Sequence, residues 1–223
     1  MNFIVIPARK NSQRVKNKNI KKLNGKPLIN YIFEKLNNKK IKEKVFVTSD
    51  SLKIKKLSKS FEKIIFVKRP KRYCSRNSKV EESLIHLIKK KGMQNYDWVI
   101  TIQPNSPFIK LKTIKKMISL TKKTTSNCIM TANKNISDLW SVDKKNKKLL
   151  KRLYPNAPRN SQKRKPLFEE NSAIYATRVK HLIKTKKIFD KKVMFYEISN
   201  IEGIDINNKD DFIVADSLKK NGF

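Results

Sequence analysis

The chain has 223 residues, 38% hydrophobic and 32% charged; this suffices for one substantial core and excludes wholesale disorder, because the apolar residues come in segments. Its 54 Lys and Arg against 18 Asp and Glu give a formal charge of +36. That balance would suit a polyanion, but the lysines run from Lys10 to Lys220 with no basic arm, while Ile and Asn are abundant and Gly numbers only 4; A/T-rich codon usage explains this, and nucleic acid is the minor reading.

The first strand is expected at Phe3–Ile6, followed by others at Val45–Thr48, Ile64–Val67 and Trp98–Ile102. All four are β-branched or aromatic runs, apolar on both faces, as buried parallel strands are. Helical spacing lies between them, in Leu28–Leu36, Leu52–Leu57 and Leu84–Ile88. Strand, helix, strand in repetition implies a right-handed α/β sheet, mostly parallel and Rossmann-like, with flanking helices. A helix fits Leu111–Leu120 and a strand Cys128–Ala132. From about residue 133 to 171 the order breaks down, with Pro155, Pro158 and Pro166 among many lysines, as in an insert to a single domain spanning 1–223. Strands return at Ser172–Thr177 and Val193–Ile198, and a closing helix begins near Asn208.

Cys74 and Cys128 stand apart from each other and from histidine, which indicates neither a zinc site nor a disulfide framework. No stretch approaches the roughly 20 apolar residues of a spanning helix, and the opening apolar run is too short for a signal peptide, so a cytoplasmic protein is expected.

The segment Ile6–Ile20, IPARKNSQRVKNKNI, follows the first strand directly. Ligands of open parallel sheets bind beyond the carboxyl ends of strands, so this loop is expected over the site. Arg9, Arg14, Lys16 and Lys18 would suit a triphosphate, with Asn11, Ser12 and Asn19 as hydrogen-bonding groups. On composition alone, a solvated basic loop is equally acceptable. The order of residues decides, because IPARxxSxRxxxKNI resembles the signature of the CMP-sugar synthetases, the acylneuraminate and related cytidylyltransferases. That family usually has Gly at the position of Asn11 and Pro at that of Lys16; Asn is tolerated where left-handed backbone is needed, and loss of the proline loosens the loop.

The resemblance implies a nucleotide pocket of Ala8, Arg9, Asn11, Ser12, Arg14, Lys18 and Asn19, with Arg9 and Lys18 on the CTP phosphates as catalytic groups. KRP at Lys68–Pro70 and the following CSRNSKVEESLIH match the family's RP…S…VIxH region, implying nucleotide contacts from Arg69, Ser75 and Ser78. The family commonly has Asp at Arg76. His86 lies among Leu84, Ile85 and Leu87, and reads as a packed histidine before a catalytic one. QPNSPF, Gln103–Phe108, is similar to LQPTSPxR and implies sugar contacts from Gln103, Asn105 and Ser106, although a plain strand-to-helix turn would look the same.

PRNSQKRKPLFEENSAIYA resembles RQxxPxxYxENGAIY, which in the family reaches the sugar and a dimer partner; this implies roles for Asn171 and Tyr175 and a homodimer built on the insert. The family's Arg falls at Ser161, leaving Arg159 or Arg164 as the clamp for a sugar carboxylate, and its Gly falls at Ser172. GIDINNKDDF resembles IDIDTxxDF, whose alternating acids hold Mg²⁺, which implies a metal site at Asp205 and Asn207. One acid has become an amide there, and Asp211 reads as a helix N-terminal residue. The implied reaction is transfer of CMP from CTP to an acidic, sialic-acid-like sugar with release of pyrophosphate. Alternatives are 3-deoxy-manno-octulosonate, pseudaminic or legionaminic acid as acceptor, a synthetase with impaired catalysis, and a basic nucleic-acid-binding protein without an evident recognition module.

Overall fold

In the computed structural model, which describes every residue except Gln13 and Arg76, seven strands form one sheet. They are β1 (Asn2–Pro7), β4 (Lys44–Ser49), β5 (Ile64–Lys68), β6 (Trp98–Ile102), β7 (Cys128–Asn135), β10 (Leu167–Arg178) and β11 (Met194–Glu197). Two short ribbons, β2 (Lys22–Leu23) with β3 (Lys26–Pro27) and β8 (Trp140–Val142) with β9 (Leu150–Arg152), stand apart from it. The sheet order is β11-β7-β10-β6-β1-β4-β5. β1 pairs in parallel with β4 and β6, and β4 with β5, whereas β10 runs antiparallel to both β6 and β7. The expected mostly parallel sheet thus contains one reversed strand, a direction that hydrophobic periodicity does not encode.

Three of the four expected runs, β1, β4 and β6, are buried on both faces, because successive side chains point to opposite sides and layers cover both. β5 is instead an edge strand with Ile65 exposed, since no described strand pairs beyond it. Ile4, Ile6, Val45, Val47, Ile100 and Ile102 pack with α1 (Asn30–Leu36), α2 (Leu52–Ser58) and α4 (Leu111–Thr121). Phe3, Val5, Phe46 and Val99 face the other way, onto α3 (Val80–Lys91) and α5 (Val179–Thr185). The sequence pattern did not show α5, whose only deeply buried side chains are Val179 and Leu182. A third cluster joins Val15, Leu23, Leu28 and Phe108 to Phe212 and Ala215 of α6 (Lys209–Lys220). It fastens the closing helix beneath the loop that follows β1.

The excursion from the sheet is shorter than the 133–171 expected from sequence. Residues 133–135 and 167–170 are paired ends of β7 and β10, which leaves 136–166 outside the sheet. There Asp138 accepts from Arg152 Nε at 2.9 Å and pairs with Arg164 at 3.4 Å, holding the β8–β9 ribbon together.

Candidate active site

After β1 the chain passes over the carboxyl edge of the sheet. The turn is tied down at both ends: Ala8 N donates to Thr48 O at 3.0 Å, and the buried Asn19 donates from Nδ2 to Arg9 O at 3.1 Å. Among the described residues of this loop Asn17 is left-handed, at φ 56°, and Asn11 is not. Lys18 Nζ leaves the loop and donates to Ile206 O at 2.6 Å and to Asn207 Oδ1 at 3.4 Å. Burial pulls the Lys18 pKa down; Asp205 opposes that shift and Arg14 adds to it.

Across from the loop, the β6 end supplies Gln103 and Asn105. Asn105 holds the 205–207 segment in two ways: its carbonyl accepts from Ile206 N at 2.9 Å, and its Nδ2 donates to Asp205 Oδ1. Asn207 Nδ2 donates to the other oxygen of Asp205 at 2.7 Å. Burial raises the Asp205 pKa, while Asn207 and Lys18 pull it down. Asp211 accepts from the backbone N–H of Asn207 and Asn208 at 2.6 and 2.9 Å and closes a capping box at the start of α6, so its carboxylate is committed to the helix end.

These elements enclose two adjoining clefts. The first, of about 220 Å³, takes Arg9, Ser12, Arg14, Lys18 and Asn19 from the loop, and Gln103, Asn105 and Asn207 from the opposite wall. The second, of about 560 Å³, lies between the β7 and β10 ends and includes Asn171, Ser172, Asp205 and Asn207. Asn207 is common to both. Within the second cleft Asn171 Oδ1 accepts from Thr131 Oγ1 at 2.8 Å and from Ala173 N at 3.1 Å. Its orientation is thereby set, and its buried Nδ2 has no partner among the described residues. A buried unpaired donor is costly unless a ligand meets it.

Several residues expected at the site lie elsewhere. Ala8 is fully buried and serves as the base of the loop; Asn11 is exposed, outside both clefts. Arg69 is buried with Nη2 on Thr48 O at 3.0 Å, beneath the loop rather than in the cleft. Ser75 and Ser78 bond each other at 2.7 Å and touch the site only indirectly, where Arg9 Nη1 donates to Ser75 O at 3.0 Å. Arg76 falls outside the described residues. Ser106 is wholly buried, because the turn after Gln103 drives it into the core. Tyr175 packs its ring against Phe189 and gives its hydroxyl to Glu170, so it belongs to the second core face. Arg159 is exposed on the excursion, and Arg164 is occupied by Pro158 O at 2.6 Å, Ile136 O at 2.9 Å and Asp138. Neither enters the second cleft of this chain. His86 stacks near Tyr73, with burial lowering its pKa, well apart from the clefts.

The motif at Asp205 was found from sequence, but not the contacts that anchor the strap carrying it. Glu202 is buried and accepts from Lys110 N, the N-cap of α4, at 2.9 Å. Gly203 lies so close to the Asn133 side chain that a Cβ there would overlap its amide. Glu202 just ahead of the quoted motif, and the glycine that opens it, were the available signal.

Comparison with known proteins places the chain in a family and a fold. The family model for cytidylyltransferases matches residues 3–214. The CMP-N,N'-diacetyllegionaminic acid synthase of Legionella pneumophila is 26% identical over 96% of this chain and 94% of its own length. The N-acylneuraminate cytidylyltransferase of Escherichia coli is 27% identical over 97% of this chain, which spans only 51% of that protein. Among solved structures, a CMP:2-keto-3-deoxy-manno-octonic acid synthetase complexed with CTP superposes with a TM-score of 0.71 at 16% identity, covering 100% of this chain and 99% of that one; at that identity the likeness speaks for the fold. The chain belongs to the cytidylyltransferase family, with CMP-sugar synthetases as its relatives.

Proposed function

We propose that this chain transfers CMP from CTP to an acidic nonulosonic or octulosonic sugar, releasing pyrophosphate. The observation that carries the reading is the pair of adjoining clefts joined at Asn207: a narrow one walled by Arg9, Arg14 and Lys18, and a wider one with the unpaired Asn171 amide. The first suits a triphosphate and the second a polyhydroxylated acceptor.

In this reading Arg9 and Arg14 grip phosphate oxygens, and Lys18 provides a compact charge at the inner end of the cleft. The anomeric hydroxyl of the sugar, oriented by Asn171 and the second cleft, attacks the α-phosphate; the bond to the β-phosphate breaks and pyrophosphate leaves. Such a transfer depends on alignment and on cations aimed where negative charge develops. Among the described residues no side chain is placed as a dedicated base, so the proton of the attacking hydroxyl passes to water.

The family reaction implies Mg²⁺. Among the described residues, no three His, Cys, Asp or Glu side chains gather into a metal-binding group. Asp205 would hold Mg²⁺, with Asn207 joining it by turning toward the ion the amide oxygen that now faces Lys18; such a set fits, since Mg²⁺ commonly takes one or two carboxylates plus phosphate oxygens. When bound, the ion would neutralise phosphate charge.

The β8–β9 ribbon presents Trp140, Val142 and Leu150 to solvent, and Tyr154 is exposed shortly after it. A two-stranded ribbon has little stability alone, and a contiguous apolar surface favours a partner, so a homodimer through this excursion is part of the proposal. Among the described residues no helix is long and apolar enough to cross a membrane, and use of CTP is consistent with a cytoplasmic reaction.

The test is pyrophosphate release from CTP and Mg²⁺ with sialic, legionaminic, pseudaminic and 3-deoxy-manno-octulosonic acids offered in turn. Turnover with at least one is expected. DNA retention that falls with salt, together with no CTP binding, would overturn the reading in favour of a nucleic-acid-binding protein.

A further inference from the structure

We infer that Glu202 is a positioning residue for the transfer step: by capping α4 from the strap, it sets the wall of the first cleft against the wall of the second. The inference rests on the reaction proposed above, with CTP in the first cleft and the acceptor in the second.

Helix α4 has no side-chain cap of its own. Its N-cap is Lys110, whose side chain makes no capping bond, and its first turn carries no acid. The leading N–H groups of a helix need acceptors from outside it. One comes from Glu202, 92 positions away, whose Oε1 accepts from Lys110 N at 2.9 Å. Glu202 is 4% exposed, and a buried carboxylate is costly unless hydrogen bonds and positive charge meet it. The N-terminus of α4 offers both. A serine or aspartate at position 110 would cap the helix locally without burying a charge. What the distant glutamate adds is a tie between two segments of chain.

Those segments are the walls where the clefts meet. The turn that leads into α4 places Gln103, Pro104 and Asn105 in the first cleft. The strap after β11 places Asn200, Gly203, Asp205 and Asn207 in the second. Asn105 laces one end of the pair, its carbonyl accepting from Ile206 N at 2.9 Å, and Glu202 laces the other. Lys35 fixes the turn between them by donating to Pro107 O at 2.7 Å. Among the described residues, loss of Glu202 leaves Asn105 as the turn's one hydrogen-bonded link to the strap. The strap could then pivot about that link. Arg9, Arg14 and Lys18 come from the loop after β1, so the groups facing phosphate would stay in place. The acceptor would therefore move relative to the α-phosphate while CTP remained bound. Alignment of this kind is steep, since a displacement of about 1 Å can cost about 100-fold in rate.

The test measures pyrophosphate release by the full chain with CTP, Mg²⁺ and whichever acceptor turns over, and CTP affinity by equilibrium dialysis without acceptor. Glu202→Ala is expected to fold, to bind CTP as the wild type does, and to lose about 100-fold in kcat. Glu202→Gln still presents an oxygen to Lys110 N and is expected to recover most of that loss. Glu202→Asp, shorter by one methylene, should behave like the alanine variant. A purely structural role would lower Tm without separating kcat from CTP affinity. The inference is overturned by a folded Glu202→Ala with wild-type kcat, by a glutamine variant no faster than the alanine one, or by CTP affinity that falls in step with rate. Failure of both the alanine and aspartate variants to fold would also overturn it, because Glu202 would then serve the fold alone. No pyrophosphate from the wild type with any acceptor would instead overturn the proposed reaction, and this inference with it.

Discussion

Lys18 Nζ donates to the carbonyl oxygen of Ile206 at 2.6 Å, across 188 positions of sequence. This bond spans the first cleft and joins the basic loop after β1 to the segment that bears Asp205. A lysine held in this way is immobilised before any ligand arrives, so its charge needs little reorganisation when phosphate binds.

Lys18→Ala should therefore cost rate far more than fold. Loss of one preorganised donor to developing charge typically costs about 10²–10³-fold, and a fall of that size in kcat/KM is expected in a pyrophosphate-release assay. Circular dichroism should show an unchanged fold. Near-normal turnover would remove Lys18 from the chemistry.

Gly203 allows the strap to pass against Asn133. Gly203→Ala forces the two apart, and overpacking of this kind costs about 1–3 kcal/mol. A drop in Tm of several degrees is expected, with reduced turnover because Asp205 follows two residues later. Adding Asn133→Ala makes room and should restore most of the Tm; a double variant no better than the single one would mean that the strap is held by something else.

Ser172 adopts φ 59° where β10 breaks register between Glu170 and Tyr175. A side chain in left-handed backbone costs about 1–2 kcal/mol, and glycine avoids most of that strain. Ser172→Gly is expected to raise Tm measurably in differential scanning calorimetry. An unchanged or lower Tm would show that the serine hydroxyl repays the strain.

Lys35 Nζ donates to Tyr31 O at 3.3 Å and Pro107 O at 2.7 Å. Burial lowers its pKa from 10.5 to about 8, with Lys219 and Lys26 adding to the shift and Glu34 and Glu202 opposing it. Between those two values the unfolded chain binds more protons than the folded one, so this group's contribution to stability rises with pH across that window. Below about 8 the buried charge exacts its full cost. Against Lys35→Met, the wild type should gain Tm steadily as pH is raised from about 8 to 10; a constant difference would show that the ammonium is not buried as described.

Trp140 and Leu150 lie on the exposed β8–β9 ribbon. If the ribbon is the contact between two copies, Leu150→Asp should shift sedimentation from dimer to monomer without unfolding the sheet. A wild type that sediments as a monomer at assay concentration would exclude this surface as a homodimer contact.

Much of the fold was legible because β-branched runs such as Val45–Thr48 and Trp98–Ile102 can be buried on both faces only inside a sheet. The reversal of β10 was not legible, since the same residues satisfy either direction and only its neighbours β6 and β7 select one. Helix α5 escaped notice because Val179 and Leu182 alone anchor a short basic segment. Motif position identified the basic loop, but it also suggested Ser106 and Tyr175 as ligand contacts. Their backbone positions turn both inward, one into the core and one toward Phe189.

By itself the sequence determined the alternating buried strands and helices, the basic loop at the end of β1, and the replacement of an expected acid by Asn207. The tertiary structure decided which groups meet: Lys18 across the cleft from Asn207, and two amides on the single carboxylate of Asp205. These contacts join residues as far as 189 positions apart. Local periodicity reports only whether a side chain is buried, whereas charge balance in a cleft depends on the distances that the completed sheet imposes.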